Sequence, residues 1–253
     1  MPLLAAEGLK KWFGDTHAVD GVDFSIEPQR LVSLVGSNGA GKTTLVNLIT
    51  GLLQPDEGRI VFDRQDVTRL PIYGRIKAGI ARSFQLVNLF DALTVLDNVR
   101  LAVFSRDNKI NHAMRLAERD RDAEREARDV IEEFGLGEKV NVPANGLAQG
   151  ERKLLDVAVA YALRPKLILL DEPTSGVGTR EKSHIMDRVA SVVRSGGLSA
   201  VIVEHDMDIV FKYSDRIVMM HEGRVIAEGT PQAIVRDERV AAMLGRRAME
   251  PPR

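Results

Sequence analysis

Residues Gly36-Ser37-Asn38-Gly39-Ala40-Gly41-Lys42-Thr43 satisfy the pattern G-x-x-x-x-G-K-[ST], and their surroundings constrain the chain more than any other feature. The run is preceded by Leu31-Val32-Ser33-Leu34-Val35, an apolar stretch of strand length. It is followed by Leu45, Leu48 and Ile49 on one helical face, with Gly51 where a helix ends. Strand, glycine loop and helix in that order turn backbone N–H groups inward at a helix N-terminus, which makes a cradle for phosphate. Lys42 brings a point charge to the β and γ phosphates, and the Thr43 hydroxyl is placed to hold Mg²⁺.

The rest of the chain reads as α/β with a mainly parallel sheet. Val22, Phe24 and Ile26 alternate with polar residues as a strand does, and a turn at Pro55-Asp56-Glu57-Gly58 leads to a strand over Arg59 to Phe62. A helix opened by Pro71 and a strand around Ala81 to Phe84 follow. Leu167 to Leu170, Ser199 to Val203 and Arg216 to Met220 read as buried strands, separated by helices over Thr179 to Arg194 and Met207 to Tyr213. Between these stretches, residues 86–164 show no strand pattern and read as an inserted helical subdomain. One helix is marked by Val95, Val99, Leu101 and Ala102. Another is marked by a stripe of Leu116, Asp120, Ala123, Ala127, Val130, Ile131 and Phe134, with Asp120 as a polar interruption. Between Arg106 and Glu133 seven basic and nine acidic side chains nearly cancel, so this stretch reads as a solvated helix face and not as a nucleic-acid arm.

Charge over the whole chain is as even, with 35 Lys+Arg against 36 Asp+Glu, so nucleic acid is not an expected partner. The absence of cysteine excludes disulfides, thiolate nucleophiles and Cys-ligated metal centres. Met1 to Glu7 lacks a basic n-region and reaches a carboxylate too early for a secretory leader, and the apolar runs fall short of the ~20 residues that span a bilayer. A membrane role therefore requires a partner.

Leu167-Ile168-Leu169-Leu170-Asp171-Glu172 places two carboxylates at the end of a buried strand, where parallel sheets present their ligand-binding groups. Asp171 suits the Mg²⁺ shell. Glu172 suits the orientation and polarisation of a water attacking the γ-phosphate.

With these two motifs in place, the chain resembles the ATP-binding subunits of ABC transporters over essentially its whole length. The resemblance implies a RecA-like P-loop core over residues 1–85 and 165–235 with an N-terminal antiparallel β edge, a helical signalling subdomain over 86–164, and a C-terminal helix and tail over 236–253. It implies ATP and Mg²⁺ as cofactors, with Gly36, Ser37, Asn38, Gly39, Ala40, Gly41, Lys42, Thr43 and Thr44 around the phosphates. Gln85, in Arg82-Ser83-Phe84-Gln85, matches the Q-loop glutamine that contacts Mg²⁺ or water. His205, in Glu204-His205-Asp206, matches the switch histidine that reads the γ-phosphate. Phe13 in Trp12-Phe13-Gly14 matches the aromatic that stacks on adenine, with Trp12 an adjacent competitor. Leu147-Ala148-Gln149-Gly150-Glu151 stands in the place of the signature LSGGQ, which closes over the partner subunit's ATP.

Two positions depart from the family pattern. Ala148 lacks the signature serine's hydroxyl, and Gly178, after Ser175-Gly176-Val177, stands where the D-loop usually carries Asp or Asn. Ser83-Phe84-Gln85, Leu89-Phe90, Glu204-His205-Asp206-Met207 and Val240-Ala241-Ala242-Met243-Leu244-Gly245 resemble one of the paired ATPases of branched-chain amino-acid importers. The implied partners are a second ABC ATPase subunit, identical or paralogous, transmembrane permease subunits and, indirectly, an extracytoplasmic solute-binding protein. The implied location is the cytoplasmic face of the inner membrane. Importers of urea, amides or aromatic acids, a soluble ABC ATPase of a cytosolic assembly machine, and a regulatory module with degraded hydrolysis are the competing readings.

Overall fold

The computed structural model describes residues 1–83, 89–109, 120–237 and 239–240. Two sheets carry the chain. The larger has the order β10-β9-β3-β8-β7-β6, built from β3 (Leu31–Gly36), β6 (Ile80–Ser83), β7 (Leu167–Asp171), β8 (Ser199–Val203), β9 (Arg216–His221) and β10 (Arg224–Gly229). It is parallel except for the β9–β10 hairpin at one edge. The smaller is antiparallel, in the order β2-β1-β4-β5, from β1 (Leu4–Phe13), β2 (Thr16–Ile26), β4 (Glu57–Phe62) and β5 (Gln65–Asp66).

Strand periodicity decides which side of the large sheet each residue faces. Along β7, Leu167 and Leu169 pack with Val32, Leu34, Val201, the antiparallel sheet and helix α1 (Lys42–Thr50). Ile168 and Leu170 turn the other way, onto the core shared with α3 (Val95–Arg106), α4 (Arg121–Glu133), α5 (Gln149–Ala162) and α6 (Thr179–Ser195). All five residues of β7 and of β8 are buried, which is why these strands are apolar in sequence apart from Asp171 at the end of one and Ser199 at the start of the other. Helices α2 (Ile72–Ala78), α7 (Met207–Tyr213) and α8 (Pro231–Arg236) complete the described chain. Among the described residues no helix is long and apolar enough to cross a membrane.

The elements differ from the sequence reading in four places. The antiparallel edge begins with β1, a strand of ten residues in which bulges near Ala6, Leu9 and Lys11 break the alternation that would have marked it. Strands β5 and β10 are also additional. Each follows a tight turn: Asp63 and Arg64 both take positive φ without a glycine, and Glu222 does so just before Gly223, so neither turn carries the usual Asn-Gly or Asp-Gly signal. Asp120 does not interrupt the stripe of α4; it is the helix N-cap, its side chain accepting from the Ala123 N–H. The charged face of α4 is not wholly solvated either: Glu126 accepts from Arg106 on α3 and pairs with Arg164 at 2.9 Å. Leu116, Phe84, Gln85 and 241–245 lie outside the described residues.

Candidate nucleotide site

The register of the large sheet brings the candidate residues to one rim. Asp171 pairs with Val203, and Gly36 pairs with Met220, so the loops carrying Gly36–Thr43, Glu172 and Glu204-His205 leave the sheet together at its C-terminal edge. They border a cavity of about 690 Å³, lined by Asn38–Thr44, Glu172 and Phe13, with Thr16, His17 and Glu222 at its wall.

The loop needs its glycines. A Cβ on Gly36 would stand 2.3 Å from the Met220 carbonyl oxygen, and one on Gly41 equally close to that of Ala18. Gly41 also holds φ 95° as the N-cap of α1, so glycine is required there by conformation as well as space. Lys42 curls back over the loop, Nζ donating to the carbonyls of Gly36 at 2.8 Å and Ser37 at 2.9 Å. Burial pulls its pKa down, and the charges of Glu172 and Asp171 act against that fall. Gly36 and Ser37 thus serve the loop through their carbonyls and stand outside the cavity lining, whereas Lys42, Thr43 and Thr44 form part of it.

Phe13 ends β1 half exposed against the cavity. Trp12 turns to His17, ring centroids 5.6 Å apart, and is not part of the lining. Asp171 is buried, its Oδ2 accepting from Arg82 Nη2 at 2.6 Å. The next residue, Glu172, has φ 49°, a conformation that costs a non-glycine residue on the order of 1–3 kcal/mol. Its N–H donates to the Val203 carbonyl at 2.9 Å, and Lys153 of α5 donates to its carbonyl at 3.3 Å. This pose turns the carboxylate from the end of β7 into the cavity. His205 is exposed, with Nδ1 3.9 Å from Glu172 Oε1 and 3.9 Å from Glu204 Oε2, beyond hydrogen-bond range.

Two residues that sequence reasoning passed over hold this rim. Glu204, 1% exposed, accepts from the N–H and hydroxyl of Thr174 and from the His205 N–H, tying the loop after Glu172 to the loop after β8. Arg82, which donates to Asp171, is the other. Each has a bonding partner remote in sequence, so no local pattern marks it.

Leu147–Glu151 is not brought to this cavity. Leu147 is buried, Ala148 caps α5, and the Glu151 carboxylate accepts from the Ala148 N–H at 2.9 Å. That is one half of a capping box, because Ala148 has no oxygen to return the bond. The segment leans on the loop after Glu172 and on α6: Gly176 lies against the Gln149 amide and Gly150 against the Glu181 carboxylate of α6.

A strand, a glycine-rich anion cradle with its lysine, and paired acidic residues on one rim define a P-loop nucleotide-binding protein. The ABC transporter profile matches residues 19–175. The chain belongs to that family and is an ATP-binding subunit with ATPase activity. It is 35% identical over 239 residues to the branched-chain amino-acid transport ATP-binding protein BraF of Pseudomonas aeruginosa, covering 92% of this chain and 93% of that one. It is 34% identical over 238 residues, with the same coverage, to LivG of Escherichia coli K12. The lipopolysaccharide export ATP-binding protein LptB of Haemophilus influenzae is 33% identical over 240 residues, covering 95% of each chain. Among solved structures, the ADP conformation of the ATP-binding cassette MJ1267 superposes with a TM-score of 0.85 at 30% identity, covering 96% of this chain and 98% of that one. A dimeric ATP-binding cassette, MJ0796 bound to ADP and Pi, gives 0.75 at 26% identity, covering 90% and 98%.

Proposed function

We propose that the chain is the ATP-hydrolysing subunit of an importer for branched-chain amino acids or a related small solute, working as one of two cassettes that sandwich ATP. The observation that carries the two-cassette reading is the placement of Leu147–Glu151 outside the chain's own cavity. A helix N-terminus with the signature pattern, offered away from its own phosphate loop, is suited to a second subunit's γ-phosphate. Likeness to BraF and LivG supports the importer and its solute class.

In this reading Phe13 stacks on adenine, and the backbone of Gly36–Thr44 with Lys42 binds the phosphates. The donors near the phosphate loop fit Mg²⁺: hard oxygens of Thr43 and Asp171, with Gln85 the third residue assigned to it. Among the described residues no cluster of three His, Cys, Asp or Glu forms a cage, as suits a metal that keeps water and phosphate ligands. When bound, Mg²⁺ neutralises charge on the phosphate oxygens. Glu172 orients the attacking water, accepting its hydrogen bond from the strained pose described above. His205, exposed and not hydrogen-bonded to Glu172, reaches the γ-phosphate, and Glu204 holds its backbone. Residues 1–85 and 165–235 form the nucleotide-binding unit, 86–164 the signalling unit and 236–253 the tail.

An apolar groove of about 210 Å³ lies between α2 and α5, with Leu52, Ile72 and Ile76 partly exposed at its rim and Val159 and Leu163 beneath. It receives a cytoplasmic helix of a membrane permease, which places the subunit at the inner face of the membrane. The test is affinity purification from detergent-solubilised membranes, followed by an ATPase assay with the solute-binding protein encoded nearby. Permeases that co-purify, with hydrolysis stimulated by the binding protein, are the expected outcome. A soluble partner alone would move the protein to a cytosolic machine. Permeases with hydrolysis indifferent to any binding protein would favour the export reading that the likeness to LptB supports.

A further inference from the structure

Arg82 stands where three elements and two sites meet. Its backbone is in β6, paired in parallel with Leu169 of β7. Its guanidinium donates from Nη1 to Asn47 Oδ1 at 2.6 Å and from Nη2 to Asp171 Oδ2 at 2.6 Å, with the Arg82 and Asp171 side chains 9% and 5% exposed. Asn47 is one helical turn beyond Thr43 on α1, and Asp171 ends β7. The two oxygens assigned to the metal therefore sit on a helix and a strand that one planar, doubly bonded cation bolts together. The same residue lines the apolar groove with Ile72 and Ile76 of α2. No other basic residue lines both the groove and a contact to Asp171 among the described residues.

We propose that Arg82 is a positioning residue that ties the spacing of Thr43 and Asp171 to the occupancy of the groove. A helix seated in the groove thereby alters affinity for the nucleotide's metal, and the metal alters the groove. The second half follows from the first, because a coupling free energy between two sites acts equally in both directions. The inference rests on the nucleotide and metal assignments of the preceding subsection.

Reciprocity lets the coupling be read on the purified chain without a permease. The protein has no cysteine, so Ile76→Cys accepts an environment-sensitive fluorophore at one position on the groove rim. ATP affinity is measured in EDTA, Mg²⁺ half-saturation at fixed ATP, and emission as Mg²⁺ is added. The label in the otherwise unaltered chain responds to Mg²⁺. Arg82→Gln leaves ATP affinity in EDTA within about twofold, raises Mg²⁺ half-saturation about tenfold, as loss of a residue that orients a metal ligand does, and abolishes the emission response. Arg82→Lys keeps the charge without the fork and restores neither in full. Should Arg82→Gln not fold, Asn47→Ala cuts only the helix side of the bridge and raises Mg²⁺ half-saturation about threefold. A folded variant whose Mg²⁺ half-saturation stays within about twofold, or whose label still responds, overturns the proposal, as does a label that never responds. Failure of the unaltered chain to bind ATP would instead overturn the nucleotide assignment itself.

Discussion

Arg75 shows how much a single side chain can hold. It is fully buried, and its guanidinium donates to the carbonyls of Leu48 and Ile49 at the end of α1 and to those of Thr68 and Leu70. Burial pulls its pKa down to about 10, so it remains charged at neutral pH, set against the negative end of α1. Arg75→Met would strand several buried carbonyls, each costing about 1–3 kcal/mol, and should lower unfolding stability by on the order of 3 kcal/mol in a urea titration. Unchanged stability would mean that water satisfies those carbonyls. Nothing near Arg75 in sequence distinguishes it from a surface arginine, since Leu48 is 27 residues away. Glu204 is illegible for the same reason: the partner that explains it, Thr174, is 30 residues distant. Lys42, Asp171 and Glu172 are legible because each belongs to a short pattern whose flanking strand is itself apolar.

Helix ends and helix pairs carry the next level of explanation. Helix α5 starts at Ala148 with half a capping box, so Ala148→Ser should complete it and add about 1 kcal/mol, seen as a raised midpoint in denaturant without nucleotide. In the proposed two-cassette arrangement the same hydroxyl would add a donor to the partner's phosphate, so ATP-driven pairing should tighten as well. A midpoint that does not move would show that the N-terminus of α5 is already satisfied. Between α3 and α4, the Arg106 guanidinium holds the Glu126 carboxyl below its usual 4.5, with burial opposing and Arg164 adding to the effect. Because the folded value lies below the unfolded one, this contribution is present above about pH 4.5 and disappears as pH falls through the folded value. Acid titration followed by amide exchange should therefore loosen α3 and α4 before the large sheet, and Glu126→Gln should remove that early phase. The bland expectation of a solvated charged face missed this clamp because periodicity reports which residues face inward, and not which outward charges meet another element.

At the scale of the whole molecule, the proposed pairing of two cassettes makes hydrolysis a property of two chains. Glu172→Gln leaves the strained backbone and the cradle in place while removing the carboxylate proposed to orient water, so turnover should fall about 10²–10⁴-fold. ATP-bound dimers should then accumulate in sedimentation experiments and disperse without nucleotide. Brisk turnover by this variant would remove Glu172 from its role. The sequence by itself determined the class of fold, the phosphate cradle, the carboxylate pair and the helical stretch between the two α/β parts, because each is written in adjacent residues: periodicity, glycine spacing and apolar strands act locally. Tertiary structure alone decided that β1 opens the antiparallel sheet, that Phe13 and not Trp12 faces the cavity, that Arg82 joins α1 to Asp171 across 89 residues, and that Leu147–Glu151 stands outside the lining of the chain's own cavity. These are outcomes of register and packing between segments distant in the chain, where the free energy depends on which partners meet and no local pattern names them.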